Sequence, residues 1–558
     1  MRLHTAALTA LLSLSLTACG ETSDSSTDAG SCEGGKCDDA EGSEGTDAFV
    51  QQNYCVGVRG NGQLITAHFA SLARIIEHYG LTSGVSGGSS GSITSFLLES
   101  IQMNPAVNDC GGKGCTDEEA ANRAALLFKS LQGYIGVLAG TPEAAAIAQL
   151  IPVAQQVAER DIAGLAESDP EAARQALEEL LQSTDIRELL NPELLALLQD
   201  SPDPTFHVQD VAAAIAGAAS FSADNPNILV RPGLIDFTAF AEKIGRIGSF
   251  YAGYGNYDAE AFEAFMSSCA TPGKGMNWDR VAALPVGDTG LVCAQVFDQL
   301  ATSWRDDFIA KEDQYESRID DEIGAELPAL ISTSVITGPS AVRWADARDA
   351  YFAAEPTELG VEFDDVRFGY FGARDDLDLV ESNNAGFDDI KTAKFMSLGS
   401  ATWRTALSYS PAEPGLTRAL ELPVGDDGVR NISAGGWSDL HPTLVLRNMG
   451  CDNVVYVTRT DGELGGFADG VATLLGMDED TGKKLYDLGQ DSALTRSIAE
   501  ADAVWCTNWN DISATDIAAV SDDGYNATLI SSDPNFTDGA QAYENLDPEF
   551  SAEGCSVE

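Results

Sequence analysis

Basic residues are scarce. Lysine and arginine together number 32 against 87 aspartates and glutamates, a formal net charge of -55. Binding to a nucleic-acid backbone rests on clustered Lys and Arg. No such cluster occurs, which excludes nucleic acid as a partner. So acidic a surface keeps a chain soluble and self-repelling, and it fits a salty habitat in which screening relieves the repulsion. Histidine is also sparse, at five in 558 residues. No Cys-x-x-Cys pair occurs and no His lies near the cysteines, so the spacing argues against a structural metal site. Long apolar runs are missing too. The segment Ala6 to Leu16 is too short for a bilayer span. Against these absences stand 44% hydrophobic residues and 54 glycines, enough for a large core and many close turns. Length alone suggests several domains.

The apolar segment follows Met1-Arg2-Leu3-His4 and ends at Leu16-Thr17-Ala18-Cys19. A basic start, a short apolar core and small residues before the cut describe an export signal over residues 1–18. The ending resembles a bacterial lipobox. That resemblance implies lipidation of Cys19 and, with Gly20 next, anchoring in the cell envelope at the outer membrane. Residues 19–50 are Ser, Asp, Glu, Gly and Thr with few apolar side chains, so they predict a disordered acidic tether. Residues 51–558 are expected to hold the folded domain. Without Cys19, ten cysteines remain: Cys32, Cys37, Cys55, Cys110, Cys115, Cys269, Cys293, Cys451, Cys506 and Cys555. An even number in an exported chain predicts disulfides. Cys32/Cys37 and Cys110/Cys115 share one spacing and suggest local pairs, and Cys269 with Cys293 suggests one stapled region. The remaining connectivity is open.

The chain is organised around Gly84-Val85-Ser86-Gly87-Gly88. Gly-x-Ser-x-Gly between a strand and a helix is the nucleophile-elbow pattern. It predicts Ser86 at the tip of a sharp turn, with the positive end of the next helix aimed at the same place. The pentapeptide alone also reads as an ordinary Gly/Ser loop. Upstream, Val56-Gly57-Val58 is a short strand running into Arg59-Gly60-Asn61-Gly62. Apolar residues at spacings of three and four then predict an amphipathic helix from Ile65 to Tyr79, and a helix from Ile93 to Gln102 follows the Ser. This βαβα start predicts an α/β sheet with its site at the strand ends. A nucleotide cradle is disfavoured, because Gly60-x-Gly62 lacks a third glycine at the usual place and no Gly-Lys-Ser/Thr follows. A trypsin-like site is disfavoured as well. His68 lies too close to Ser86 and inside a helical pattern, so it is read as a helix residue.

Gly60-Asn61-Gly62-Gln63-Leu64, the helix, Tyr79-Gly80-Leu81 and Ser83-Gly84-Val85-Ser86-Gly87-Gly88 together resemble the opening of the patatin-like lipolytic enzymes and of the related cytosolic phospholipase A2 and phospholipase B group. The resemblance implies a sheet flanked by helices, with a Gly-rich oxyanion loop at Gly60, Asn61 and Gly62, the Gly87 amide beside it, and Ser86 as nucleophile. It also implies a Ser-Asp dyad without histidine, metal or cofactor. The group usually carries Arg or Lys two residues after the last loop glycine. Leu64 stands there, and Arg59 on the other side of the loop is the candidate replacement.

Ala/Leu/Glu/Gln-rich stretches from about 117 to 200 predict a helical insertion, with helices at Glu118–Lys129, Pro142–Glu159, Pro170–Leu181 and Pro192–Gln199. These are either a lid or a helical layer over the sheet. No repeat of fixed period stands out. Leu327–Ile336 predicts a buried strand. Glu355–Gly360 and Phe395–Ala401 follow in the order that the phospholipase group shows.

The mature chain has four histidines: His68, His78, His207 and His441. The group's Asp lies in Asp-Gly-Gly or Asp-Gly-Ala after a strand, shortly before a Pro. The matching region is Ala434-Gly435-Gly436-Trp437-Ser438-Asp439-Leu440-His441-Pro442, followed by a predicted helix, Thr443–Met449, and strand, Asn453–Thr458. Ala434 occupies the group's Asp position. Asp439 is the first candidate for the base, Asp426 and Asp427 come next, and His441 oriented by Asp439 is a third arrangement. The sequence therefore predicts a serine acyl hydrolase acting on phospholipid or another acyl ester through Ser86 and Asp439. The alternative is a surface lipoprotein that uses the scaffold for binding.

Overall fold

The structure, a computed structural model, describes residues 51–60, 65–110, 112–138, 159–182, 190–216, 229–233, 235–251, 259–271, 275–276, 330–355, 365–372, 395–399, 401–412, 417–423, 429–433, 442–459, 501–507 and 528–531, with a few further residues between them. The chain begins with strand β1 (Cys55–Val58), helix α1 (Ile65–Tyr79), strand β2 (Gly84–Gly88) and helix α2 (Ser90–Met103). These are the βαβα units that the sequence predicts. α1 has the predicted bounds, while α2 begins three residues before its predicted start. There follow α3 (Pro105–Asn108), α4 (Asp117–Leu138), α5 (Ile162–Ser168), α6 (Pro170–Gln182), α7 (Pro192–Asp200), α8 (Pro204–Ala216), α9 (Phe237–Tyr251), α10 (Ala259–Cys269) and the two-residue strands β3 (Ala270–Thr271) and β4 (Gly275–Met276). The second half of the chain holds β5 (Leu330–Ile336), α11 (Gly338–Phe352), β6 (Val366–Phe371), β7 (Phe395–Ser397) and α12 (Trp403–Tyr409). It ends with β8 (Leu420–Pro423), β9 (Val429–Ser433), α13 (Pro442–Met449), β10 (Val454–Arg459), β11 (Ala503–Thr507) and β12 (Thr528–Ser531).

Ten of the described strands form one sheet, running β12-β11-β10-β1-β2-β5-β6-β7, with β9 paired to β5 and β8 to β9 off this path. Its centre, β11 to β5, is parallel, and β12 and β6 join antiparallel on either side. The result is mixed α/β, as predicted. Parallel neighbours need a crossover. The one from β2 to β5 contains α2 to α10, so the predicted helices between 117 and 200 lie inside a single crossover connection. Helix caps explain several boundaries. Asn191 accepts from the Glu193 amide ahead of Pro192, and Asn104 accepts from the Ala106 amide ahead of Pro105, which is favourable helix-start chemistry. Of the predicted helix Pro142–Glu159, residues up to 155 lie outside the described residues.

Two faces of the central strands are covered by different elements. Val56, Val58 and Val85 are buried with Phe69, Leu72 and Ile76 of α1 and Leu97, Leu98 and Ile101 of α2. On the other face Cys55 packs with Leu446 and Met449 of α13. A disulfide between Cys55 and Cys451 ties that face together, and further disulfides join Cys110 to Cys115 and Cys269 to Cys293. Among the described residues no helix is long and apolar enough to cross a membrane.

Candidate active site

The junction of β2 and α2 carries the strongest local signal. Ser89 follows β2 directly and stands at the N-cap of α2 with φ 49° and ψ -126°. A positive φ is uncommon for any residue but glycine, and holding one costs of order 1–3 kcal/mol. The residues around it, Gly87-Gly88-Ser89-Ser90-Gly91, themselves read Gly-x-Ser-x-Gly. Each outer glycine has a steric reason. A Cβ at Gly87 would lie 2.7 Å from the Gly91 carbonyl oxygen, and a Cβ at Gly91 would lie 2.6 Å from the Val58 carbonyl oxygen. Without side chains at these positions, the first turn of α2 closes onto the strand before it and onto the end of β1. Strand, strained Ser and helix in this order are the parts of a nucleophile elbow.

Ser86, predicted at the tip of the turn, lies instead inside β2. It is paired opposite Gly57 on one side and Leu330 on the other, and it has no exposed surface. Alternation along the strand puts it with Gly57 and Gly84 on the face that α13 covers. A Cβ on Gly57 would sit 3.3 Å from Cβ of Pro442. The physical reason for the shift is register. β2 stays paired with β1 through Gly87 and with β5 through Gly88, so the chain turns only at Ser89. Gly87, predicted to supply the amide after the nucleophile, is consequently inside the ladder opposite Val58 and Ile331. The signal that could have found Ser89 was present, because two Gly-x-Ser-x-Gly frames overlap here and share Gly87 and Gly88.

Comparison with family models, with curated proteins and with solved structures returns no match.

Ser89 is 5% exposed. Its N–H donates to Oγ of Ser410 at 2.9 Å. Its carbonyl accepts from the Ser92 amide at 3.0 Å and from the Ser92 hydroxyl at 2.6 Å. The side chain makes no capping bond to the helix. The first amides of a helix have no intrahelical acceptor, and with the helix dipole they favour negative charge. In α2 that end of the helix begins at Ser90, immediately after Ser89. The Gly-rich segment begins alongside. Arg59 C is 3.7 Å from the position of a Cβ on Gly91, so the chain enters Gly60 next to the first turn of α2. The Arg59 side chain is buried to 1% exposure, with Nη1 3.5 Å from Thr458 Oγ1 on β10. This is also where the strand order reverses, since β2 and β5 lie to one side of β1 and β10 and β11 to the other. Ligand sites in open α/β sheets favour that crevice.

Gly60 is half-buried. Asn61 and Gly62 lie outside the described residues, as do Asp439, Asp426, Asp427, His441 and Cys19. The residues flanking 434–441 are described, however. β9 pairs with β5 antiparallel, Ser433 opposite Ser334, on the edge where β2 pairs Gly88 opposite Ser332. Ser332 and Ser334 are two residues apart, roughly 7 Å along a strand, so β9 ends close to where β2 turns into Ser89. Pro442, at the other end, sits over Gly57. The segment bearing Asp439 thus leaves and rejoins the described structure beside β2 and β1.

His68 lies in α1, with Nδ1 3.0 Å from Thr94 Oγ1 of α2. His207 is in the helical crossover, with Nε2 2.7 Å from the Tyr351 carbonyl oxygen. Among the described residues no group of three His, Cys, Asp or Glu is placed to hold a metal ion.

Proposed function

We propose that the protein is a serine acyl hydrolase of the patatin and phospholipase type, with Ser89 rather than Ser86 as nucleophile. The observation that carries this reading is the positive φ of Ser89 between Gly87 and Gly91, whose missing side chains let α2 close on β1. In the proposed reaction the Ser89 hydroxyl attacks an acyl ester carbonyl. Asp439 takes the proton and returns it to the leaving alcohol. The tetrahedral oxyanion is bound by the Ser90 amide and by amides of the Gly60-Asn61-Gly62 loop. Water then cleaves the acyl-enzyme by the same steps. The substrate is a phospholipid or another acyl ester, and no cofactor takes part. Support for Asp439 comes from the flanks of its segment, Ser433 beside the end of β2 and Pro442 over Gly57. Lipidation at Cys19 and the acidic tether would hold the domain at the outer membrane. A second reading, a binding lipoprotein without turnover, draws on Ala434 at the position where the phospholipase group has its Asp.

A fluorophosphonate probe tests both readings. Wild type is expected to label, Ser86→Ala to keep labelling, and Ser89→Ala to lose it. Labelling of Ser89→Ala at the wild-type level would remove Ser89 as nucleophile, and an unlabelled wild type would leave only the binding reading. Asp439→Asn is expected to lower kcat by ~10²-fold or more, the usual contribution of a general base.

A further inference from the structure

Ser89 follows Gly88, the last paired residue of β2, and its φ of 49° needs support from outside the strand. A buried amide without an acceptor costs ~1–3 kcal/mol. The acceptor comes from a residue 321 positions away, Oγ of Ser410 at 2.9 Å. Ser410 has no exposed surface and forms the C-cap of α12, its own N–H donating to the Ala406 carbonyl at 2.9 Å. α12 is in turn locked to α2. Trp403, at the start of α12, meets Phe96 of α2 with ring centroids 5.3 Å apart, and both residues are buried. The N-cap Thr402 fixes that end by accepting from the Thr405 amide. One short helix therefore grips α2 with its first residue and holds the residue before α2 with its C-cap.

We infer that Ser410 is a positioning residue for the nucleophile: by accepting the Ser89 amide it keeps Ser89 in the strained conformation that presents its hydroxyl. This rests on the assignment of Ser89 above. Loss of Oγ removes the acceptor that Ser410 gives the Ser89 amide and lets the turn relax. The effect falls on the rate of attack rather than on affinity.

The test uses the full chain and two readouts. In Ser410→Ala, amide hydrogen exchange in the 85–92 segment is expected to rise while exchange in β1 and β10 stays at the wild-type level. The rate of covalent labelling by the fluorophosphonate is expected to fall about 10-fold or more with its apparent affinity retained. Ser410→Thr, which keeps the acceptor, is expected to restore the rate. Unchanged exchange in the 85–92 segment overturns the inference. So does wild-type labelling by a folded Ser410→Ala, and in that case the hydrolase assignment stands. Failure of the wild type itself to label removes the hydrolase assignment and the positioning role together.

Discussion

At the scale of single residues, the site depends on atoms that are missing. Gly91 has an ordinary φ, and its constraint is space alone: a Cβ would press on the Val58 carbonyl oxygen, which is backbone and cannot swing aside. Forcing extra carbon into such a contact costs roughly 1–3 kcal/mol. Relief requires α2 to back away from β1, and the turn at Ser89 moves with it. Gly91→Ala is therefore expected to lower the unfolding free energy by that amount, read as a lower urea midpoint, and to abolish probe labelling. Normal labelling in the variant would show that the close approach is dispensable. His78 offers a second residue-scale check. Burial, followed by the charge of Arg74, lowers its pKa to about 4, against about 6.5 in an unfolded chain. Above pH 6.5 the ring is neutral in both states and contributes nothing. As pH falls from 6.5 towards 4 the unfolded chain takes up a proton that the folded chain refuses, so stability is lost over that window. Replacing the ring by an uncharged side chain removes this dependence. The stability of wild type relative to His78→Gln should decline between pH 7 and pH 5, and a constant difference would contradict the burial argument.

At the scale of elements, legibility followed sequence distance. α1 was readable to its end residues because Ile65, Phe69, Leu72, Ile76 and Tyr79 carry the helical period, and the Cys110–Cys115 bridge because its partners are neighbours. The turn residue was not. Residues 84–88 and 87–91 satisfy the same local pattern, and the choice is made by pairing with β5, more than 200 residues downstream. Ser410 was invisible for the same reason, as were the antiparallel β9 and the bridge from Cys55 to Cys451, whose partners are separated by 396 residues. That bridge joins the start of β1 to the end of α13. Beside it, Arg447 of α13 pairs with Asp502 at 2.7 Å, and Asp502 also accepts from the Val454 amide at 2.6 Å. α13 is thereby fixed to β1, β10 and the start of β11. Loop-closure entropy grows with the logarithm of loop length, so the 396-residue closure exceeds the five-residue one at Cys110–Cys115 by roughly 4 kcal/mol in the chain-entropy picture. The double variant Cys55→Ala/Cys451→Ala should thus melt well below wild type, and Cys110→Ala/Cys115→Ala close to it. Equal losses in calorimetry would show that strain or local packing, rather than loop length, sets the contribution.

At the scale of the whole molecule, charge dominates. Several of the described arginines are already committed to carboxylates. Arg174 pairs with Glu171 and Glu178, Arg418 with Glu193, Arg348 with Asp349 and Glu421, and Arg231 with Asp210. Across the chain, 87 acidic less 32 basic residues leaves 55 carboxylates in excess. Salt acts on these two populations in opposite directions. It weakens the exposed pairs, each contributing about 0–1 kcal/mol, and it screens the mutual repulsion of the excess. The pairs are few and short-ranged, whereas the repulsion is summed over the whole surface and relaxes when the chain unfolds and its charges move apart. The Debye length shortens from about 10 Å at 0.1 M to about 3 Å at 1 M. The second effect should win, and the melting temperature should rise between 0.1 M and 1 M NaCl. The rise should be similar in KCl, because screening by a monovalent salt depends on ionic strength and not on the cation. A melting temperature that falls with salt would mean that the arginine pairs outweigh the excess. A rise with one cation only would replace general screening by specific binding.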